Sequence, residues 1–453
     1  MTANRRTFIR DASAFAAAGI GCLTLGGRDL FGLAGRLRTP GREVIGAAAR
    51  PFNMLAFGDS IMWGQGLTEE QKFATLVKNW VNTNLPGRGV TFQNFAHSGA
   101  VIMPDLALDA AGVYASEVPA DYPSIHAQLY RALATLVTRG IPPSEIDLVL
   151  LNGGINDIGV TSILSPWASS GSISELTRDS ITSGMNYLLP IAAGAFPNAK
   201  FVVPGYFPII TDDSSTGEIT ALLGILFGPL GLAITPGVKG QLIANCSAFY
   251  AESDVGLRNA VTAQNGRTPN RCVYADPGFS AYNGYGASQR CLFNVGESDP
   301  MVSLRKAYCE TAGQGANPKC LSASMGHPNV NGAIKYANAM SGKLGVFLAE
   351  WQGLRRLFAC VDPKPVMGSA ATYTVWVEDY ETRLPVAATV TVGTQTVSSN
   401  TSFSHTFGCE APATETLEGP RGKPGRTITV RGACEAIGIT APGYISQSIA
   451  TRA

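Results

Sequence analysis

The stretch FNMLAFGDSIMWGQG, residues 52–66, sets a run as apolar as Met54–Phe57 directly ahead of Gly58-Asp59-Ser60, with Gly64 and Gly66 close behind. A short apolar run ending in small and polar residues reads as a buried strand that hands its last residues to a turn. A serine in that turn has two readings. It is an N-cap for the next helix, a role serine fills well, or a nucleophile held up at the rim of a sheet. The segments downstream bear on the choice.

Strands and helices alternate from there. TEEQKFATLVKNWVNTNL reads as an amphipathic helix capped by Thr68, VTFQNF as a second strand, and SIHAQLYRALATLVTRG as a helix stopped by Gly140. IDLVLLNGG is a third strand, a helix spans about 174–195, AKFVVPGYFP is a fourth strand, and NVNGAIKYANAMSGKLGVFLAEW closes the region as a helix. Fully apolar strands alternating with helices indicate a parallel sheet covered on both faces, a three-layer α/β/α domain over 51–360. Beyond Cys360 the texture changes: TYTVWVED, VAATVTVG and RTITVRG alternate with a period of two. Residues 365–453 are expected to form a small all-β sandwich.

With 453 residues and 45% apolar composition, the chain is long enough for two or three domains with real cores. Its 34 basic and 33 acidic residues leave a net charge of +1 and no long charge block, which argues against nucleic acid as a partner. Residues 1–49 read as an export signal. Arg5-Arg6 precede Phe8 and a short apolar stretch, Ala14–Leu25, in the twin-arginine manner, and Ala47-x-Ala49 offers a cleavage site. Lipidation at Cys22 and retention as an uncleaved anchor are the alternatives. Export to the periplasm or the medium makes the remaining eight cysteines candidates for disulfides, with Cys309–Cys320 and Cys409–Cys434 as plausible local loops. No C-x-x-C pair marks a zinc or redox site.

In an open α/β sheet the ligand crevice lies at the carboxyl ends of the strands. The first three strands end in Gly58-Asp59-Ser60, in Asn94 followed by His97-Ser98-Gly99, and in Gly154-Ile155-Asn156-Asp157; SMGHPNVNG, with His327, opens the last helix. These four clusters, in this order over about residues 52–350, resemble the blocks of the SGNH hydrolase superfamily, the GDSL esterases and lipases. The resemblance implies an SGNH/flavodoxin-like fold, a Ser60 nucleophile, a His327 base, and an oxyanion hole from Ser60, Gly99 and Asn156. Asp59, Asn94, Asp157 and Ser324 are supporting residues. No metal or organic cofactor is required.

Ester cleavage needs an activated hydroxyl, a base within reach of it, and donors aimed at the developing oxyanion. Those residue types suit the task. His97, His126 and His405 read as structural. The family usually places an aspartate three residues before the histidine, and here that position is Ser324. The expectation is a Ser60–His327 dyad oriented by a carbonyl near Ser324, with Asp276, Asp299 or Glu310 as acids that could substitute. Residues 219–238 carry no charge. They are open to two readings, a buried helical hairpin or an apolar lid favouring acyl chains, and their glycines and prolines speak against a membrane span. The long cysteine-containing loop over about 265–325 is expected to wall the pocket. The function expected is a secreted serine esterase or lipase acting on a small-molecule or lipid ester. The alternatives are a catalytically silent carbohydrate- or surface-binding protein, or a carbohydrate esterase. The β domain is a candidate for polymer or surface contact, and oligomeric state is not readable.

Overall fold

The computed structural model describes residues 50–352, except 105–108, 110–115, 119–122, 229–233 and 316, together with the backbone of eight strands between 357 and 449. The expected leader with Cys22, His405, and the Cys409–Cys434 pair lie outside the described residues.

Five parallel strands form the central sheet: β1 (Phe52–Phe57), β2 (Val90–Asn94), β3 (Ile146–Leu151), β4 (Lys200–Pro204) and β5 (Cys272–Ala275), in the order β2-β1-β3-β4-β5. Every residue of β1 and β3 is buried, as expected of strands covered on both faces. Burial of each such Val, Leu, Ile or Phe side chain stabilises the fold by about 1.5–3 kcal/mol. The first connection runs from β1 to β2 on one side, and the second returns past β1 to β3. The carboxyl ends of β1 and β3 therefore flank the point where the strand order reverses, which is where such sheets hold ligands.

The helices named here are α1 (Phe73–Asn84), α2 (Ile125–Arg139), α3 (Ser170–Thr177), α4 (Ser183–Ala195), α5 (Thr216–Phe227), α6 (Pro236–Arg267), α7 (Val302–Thr311) and α8 (Val330–Trp351). Helices α1 and α8 pack on each other, and α6 packs on α3, α4 and β5. No described helix is long and apolar enough to cross a membrane.

Several elements differ from expectation. The first helix is split: Thr68 caps a 3-10 turn, Glu69–Gln71, through a capping box with Gln71, and α1 begins only at Phe73. The break falls at Lys72, whose buried side chain lies 3.4 Å over the Trp63 ring and 3.1 Å from Glu69. A π turn, Arg178–Thr182, divides the helix expected over 174–195 into α3 and α4. The region 265–325 is not one long loop. It holds the end of α6, the edge strand β5, helix α7 and a one-turn helix, Pro318–Leu321. The uncharged segment 219–238 begins inside α5 and ends in the first turn of α6.

Cys309 and Cys320 are disulfide-bonded. Cys246, Cys272 and Cys291 are not: they are buried free thiols, acting as small apolar groups in the core. Burial pushes the thiols of Cys246 and Cys272 up to about 12. Eight further strands follow, β6 (Leu357–Asp362), β7 (Ala371–Asp379), β8 (Thr389–Val392), β9 (Gln395–Ser398), β10 (Thr406–Phe407), β11 (Arg426–Val430), β12 (Ile437–Thr440) and β13 (Gln447–Ile449), and they pair as β10-β11-β7-β6 and β13-β12-β8-β9, two four-stranded sheets. The first of these strands, Leu357–Asp362, pairs antiparallel with Ala371–Asp379 and lies ahead of the expected start at 365.

Candidate active site

The turn after β1 is held by its neighbours before any chemistry is considered. Gln128 of α2 accepts a hydrogen bond from Gly58 N and donates one to Gly58 O, both at 2.9 Å. A Cβ at position 58 would fall 2.0 Å from Asn152 Oδ1, so only glycine lets the chain pass so close. Asp59 then caps the one-turn helix Ser60–Trp63, its Oδ1 accepting from Ile61 N at 2.9 Å. In this arrangement the cap is Asp59, not Ser60. Ser60 is left only 6% exposed, on the wall of a cavity of about 180 Å³.

His327 reaches the same cavity from the loop before α8. Its Nε2 lies 2.7 Å from Ser60 Oγ, across 267 residues of sequence. The histidine loop is braced twice: Phe293 N donates to His327 O and Gly326 N to Phe293 O, each at 2.9 Å. Asn329 caps α8 through Gly332 N at 3.2 Å, and its amide donates to Leu292 O at 3.3 Å. Burial lowers the His327 pKa to about 4, against the carbonyls of Met325, Ser324 and Ala323, which favour the charged ring. The ring keeps an edge on the cavity. Nδ1 is buried without a partner in hydrogen-bond geometry.

Gly99 and Asn156 also line the cavity. Gly99 has φ +83, a conformation that side chains disfavour. Asn156 Nδ2 donates to Ala100 O at 2.9 Å, which fixes its amide plane and leaves a second N–H on that nitrogen. The supporting residues lie behind this wall. Asp157 accepts from Ile102 N at 3.1 Å, tying the third cluster to the second, and burial pushes its pKa up to about 7. Asn94 Oδ1 accepts from Ala96 N at 3.0 Å and shapes the turn after β2. His97 Nδ1 lies 2.9 Å from Ser98 O, and His126 packs against Tyr130 and Tyr187.

The Ser324 hydroxyl is engaged by Asp299 and Arg305. Its Oγ donates to Asp299 Oδ2 at 2.7 Å, and Arg305 also pairs with that carboxylate. Arg305 Nη1 donates to Glu117 Oε1 at 2.8 Å, and Glu117 accepts from Trp63 Nε1 and Gly66 N at 2.9 and 2.8 Å. A buried chain of charges thus joins the serine segment to the histidine loop. Of the three acids considered from sequence, Asp299 reaches this loop through Ser324. Asp276 instead faces Tyr250 and Arg258, and Glu310 is exposed.

Tyr206, just past β4, is the residue that sequence reasoning missed most plainly. Its buried hydroxyl donates to Asp59 Oδ2 at 2.8 Å and accepts from Ile155 N at 3.2 Å. It links the turn carrying Ser60 to the turn carrying Asn156. Nothing near it in sequence signals this, since GYFP reads as an ordinary strand exit.

Neither a family model nor a curated protein matches the chain significantly. Among solved structures it is similar to an extracellular lipase from Streptomyces rimosus, at 15% identity over 64% of this chain and 99% of that one, with a TM-score of 0.38. A phospholipase A1 from Streptomyces albidoflavus is 14% identical over 65% and 99%, with a TM-score of 0.36. A family two carbohydrate esterase from Clostridium thermocellum, solved with cellohexaose, is 12% identical over 67% and 66%, with a TM-score of 0.34. Likeness at this level fixes neither mechanism nor substrate; those rest on Ser60, His327 and the cavity between them.

Proposed function

We propose that the chain is an exported serine hydrolase of carboxylic esters, with Ser60 as nucleophile and His327 as base. One observation carries the reading: the 2.7 Å approach of His327 Nε2 to Ser60 Oγ on the wall of a cavity at the carboxyl edge of the sheet. With the imidazole proton on Nδ1, Nε2 accepts the hydroxyl proton as Oγ attacks the ester carbonyl carbon. The carbonyl oxygen becomes an oxyanion, held by the backbone N–H groups of Ser60 and Gly99 and the spare N–H of Asn156. Collapse breaks the ester C–O bond, and His327 returns its proton to the departing alcohol. Water then repeats the sequence on the acyl-serine, freeing the acid and restoring Ser60. Each oxyanion donor of this type is worth about 2.7–4 kcal/mol of transition-state stabilisation.

Export is supported by the Arg5-Arg6 leader and agrees with the Cys309–Cys320 disulfide. A second reading, a silent binding protein, draws on the buried Nδ1 that meets no acid. Hydrolysis of p-nitrophenyl butyrate by the purified protein, measured beside Ser60→Ala, separates the two. Turnover that Ser60→Ala abolishes supports the hydrolase; no turnover, or equal turnover by the variant, leaves the binding protein.

A further inference from the structure

The cavity beside Ser60 is more than room for a carbonyl. Away from the catalytic groups, its wall is built from Leu222, Ile225 and Leu226 of α5 facing the same space as Val160 and Leu164. Among the described residues that line it, Lys319 is the only lysine, and no arginine, aspartate or glutamate joins it. The wall also continues outward. Phe227, the last residue of α5, meets Trp167 edge-on with ring centroids 6.1 Å apart, and Trp167 is 64% exposed. The loop bearing Leu164 and Trp167 is firmly held, because Asn245 of α6 donates to Ser165 O at 3.0 Å and to Ala168 O at 3.2 Å.

We infer that this wall is an acyl-chain site, and that the substrates are esters of straight-chain acids longer than acetate. The inference rests on the reaction proposed above and adds the acid half of the substrate. An acetyl group has a single methyl to bury beyond the reacting carbon, whereas each further methylene of a longer chain leaves water for the apolar wall. The exposed Trp167, with the half-buried Phe227 against its edge, then gives the far end of a chain an apolar surface. An acylated sugar would instead need hydrogen-bonding side chains along this wall, and the α5 residues that line it, Leu222, Ile225 and Leu226, offer none.

Two measurements test the site. First, kcat/KM is taken for p-nitrophenyl acetate, butyrate and octanoate. Each added methylene is expected to raise it about fourfold while the chain still finds wall, so butyrate exceeds acetate more than tenfold. Leu226→Trp, which fills the site, is expected to lower the octanoate-to-acetate ratio at least tenfold; Ile225→Trp is the second variant should the first fold poorly. Trp167→Ala is expected to lower the octanoate rate more than the butyrate rate. Second, cis-parinaric acid fluorescence is titrated into the Ser60→Ala protein and displaced with octanoate. Saturable binding that Leu226→Trp weakens tenfold supports the site whether or not any ester is cleaved.

Ser60-dependent cleavage confined to acetate, or faster release of acetate from acetylated oligosaccharides than of octanoate, overturns the inference and leaves the hydrolase standing. Parinaric acid bound with no ester cleaved overturns the hydrolase and leaves the acyl site. Absence of parinaric acid binding overturns the site.

Discussion

Ser60 Oγ is a weak nucleophile until a neutral imidazole sits beside it, so the protonation of His327 governs the acid side of the activity. Its folded-state pKa is lowered, by burial first, to about 4, against 6.5 for a free histidine. A lowered pKa keeps the base neutral to lower pH. The acid limb of kcat/KM is therefore expected to fall between about 4 and 6.5, below that of an ordinary histidine. A pH profile with p-nitrophenyl butyrate checks this, and a midpoint above 6.5 would show a carboxylate acting on Nδ1 during catalysis. At the same scale, Tyr206→Phe removes the hydroxyl between Asp59 and Ile155 and leaves a buried acceptor and donor unpaired. The expected cost is about 1–3 kcal/mol in denaturant unfolding. Because Tyr206 touches no substrate, kcat should fall with KM little changed. Ser60, Gly99, Asn156 and His327 were legible because the four blocks that hold them resemble one family's motifs, and all four line the same cavity. Gln128, Tyr206 and Arg305 were not. Each has a decisive partner more than fifty residues away, Gly58 for Gln128, Asp59 for Tyr206 and Glu117 for Arg305.

The elements that carry these residues were legible where burial leaves a simple pattern. Strands β1 and β3 are unbroken apolar runs, and α2 has Ser124 as its cap and Gly140 as its stop. Helix α6 was hidden because its buried stripe includes Asn245, Ser253, Gly256 and Gln264, which erase the hydrophobic period that marks a helix. Strand β5 was hidden by its length of four residues. Lys72 interrupts a helix that the periodicity continued: its backbone is extended and its ammonium stacks on Trp63. Helix α8 was readable down to its cap, and that cap bears on the site: Asn329 fixes both the helix start and the strand-like contact beside His327. Asn329→Ala is expected to cost about 1 kcal/mol of stability in urea unfolding. The His327 loop should loosen with it, seen as a several-fold lower kcat.

Across the whole molecule, one sheet edge gathers loops from four distant parts of the chain, and a buried ionic chain holds the last of them in place. Arg305 sits almost fully buried between Glu117 and Asp299. Charges so placed add little net stability when paired, but removing one partner leaves the others uncompensated. Arg305→Met strands two carboxylates and is expected to destabilise the protein by about 3–5 kcal/mol, with thermal unfolding as the readout. This arrangement could not be read from the chain, because a lone arginine on a surface-patterned helix gives no sign of burial. The most direct measurement of the central claim is covalent labelling with a fluorophosphonate followed by peptide mass mapping. The account predicts one adduct per molecule, on the peptide carrying Ser60, and slow or absent labelling in His327→Ala. No adduct, or an adduct on another residue with Ser60 untouched, would contradict it.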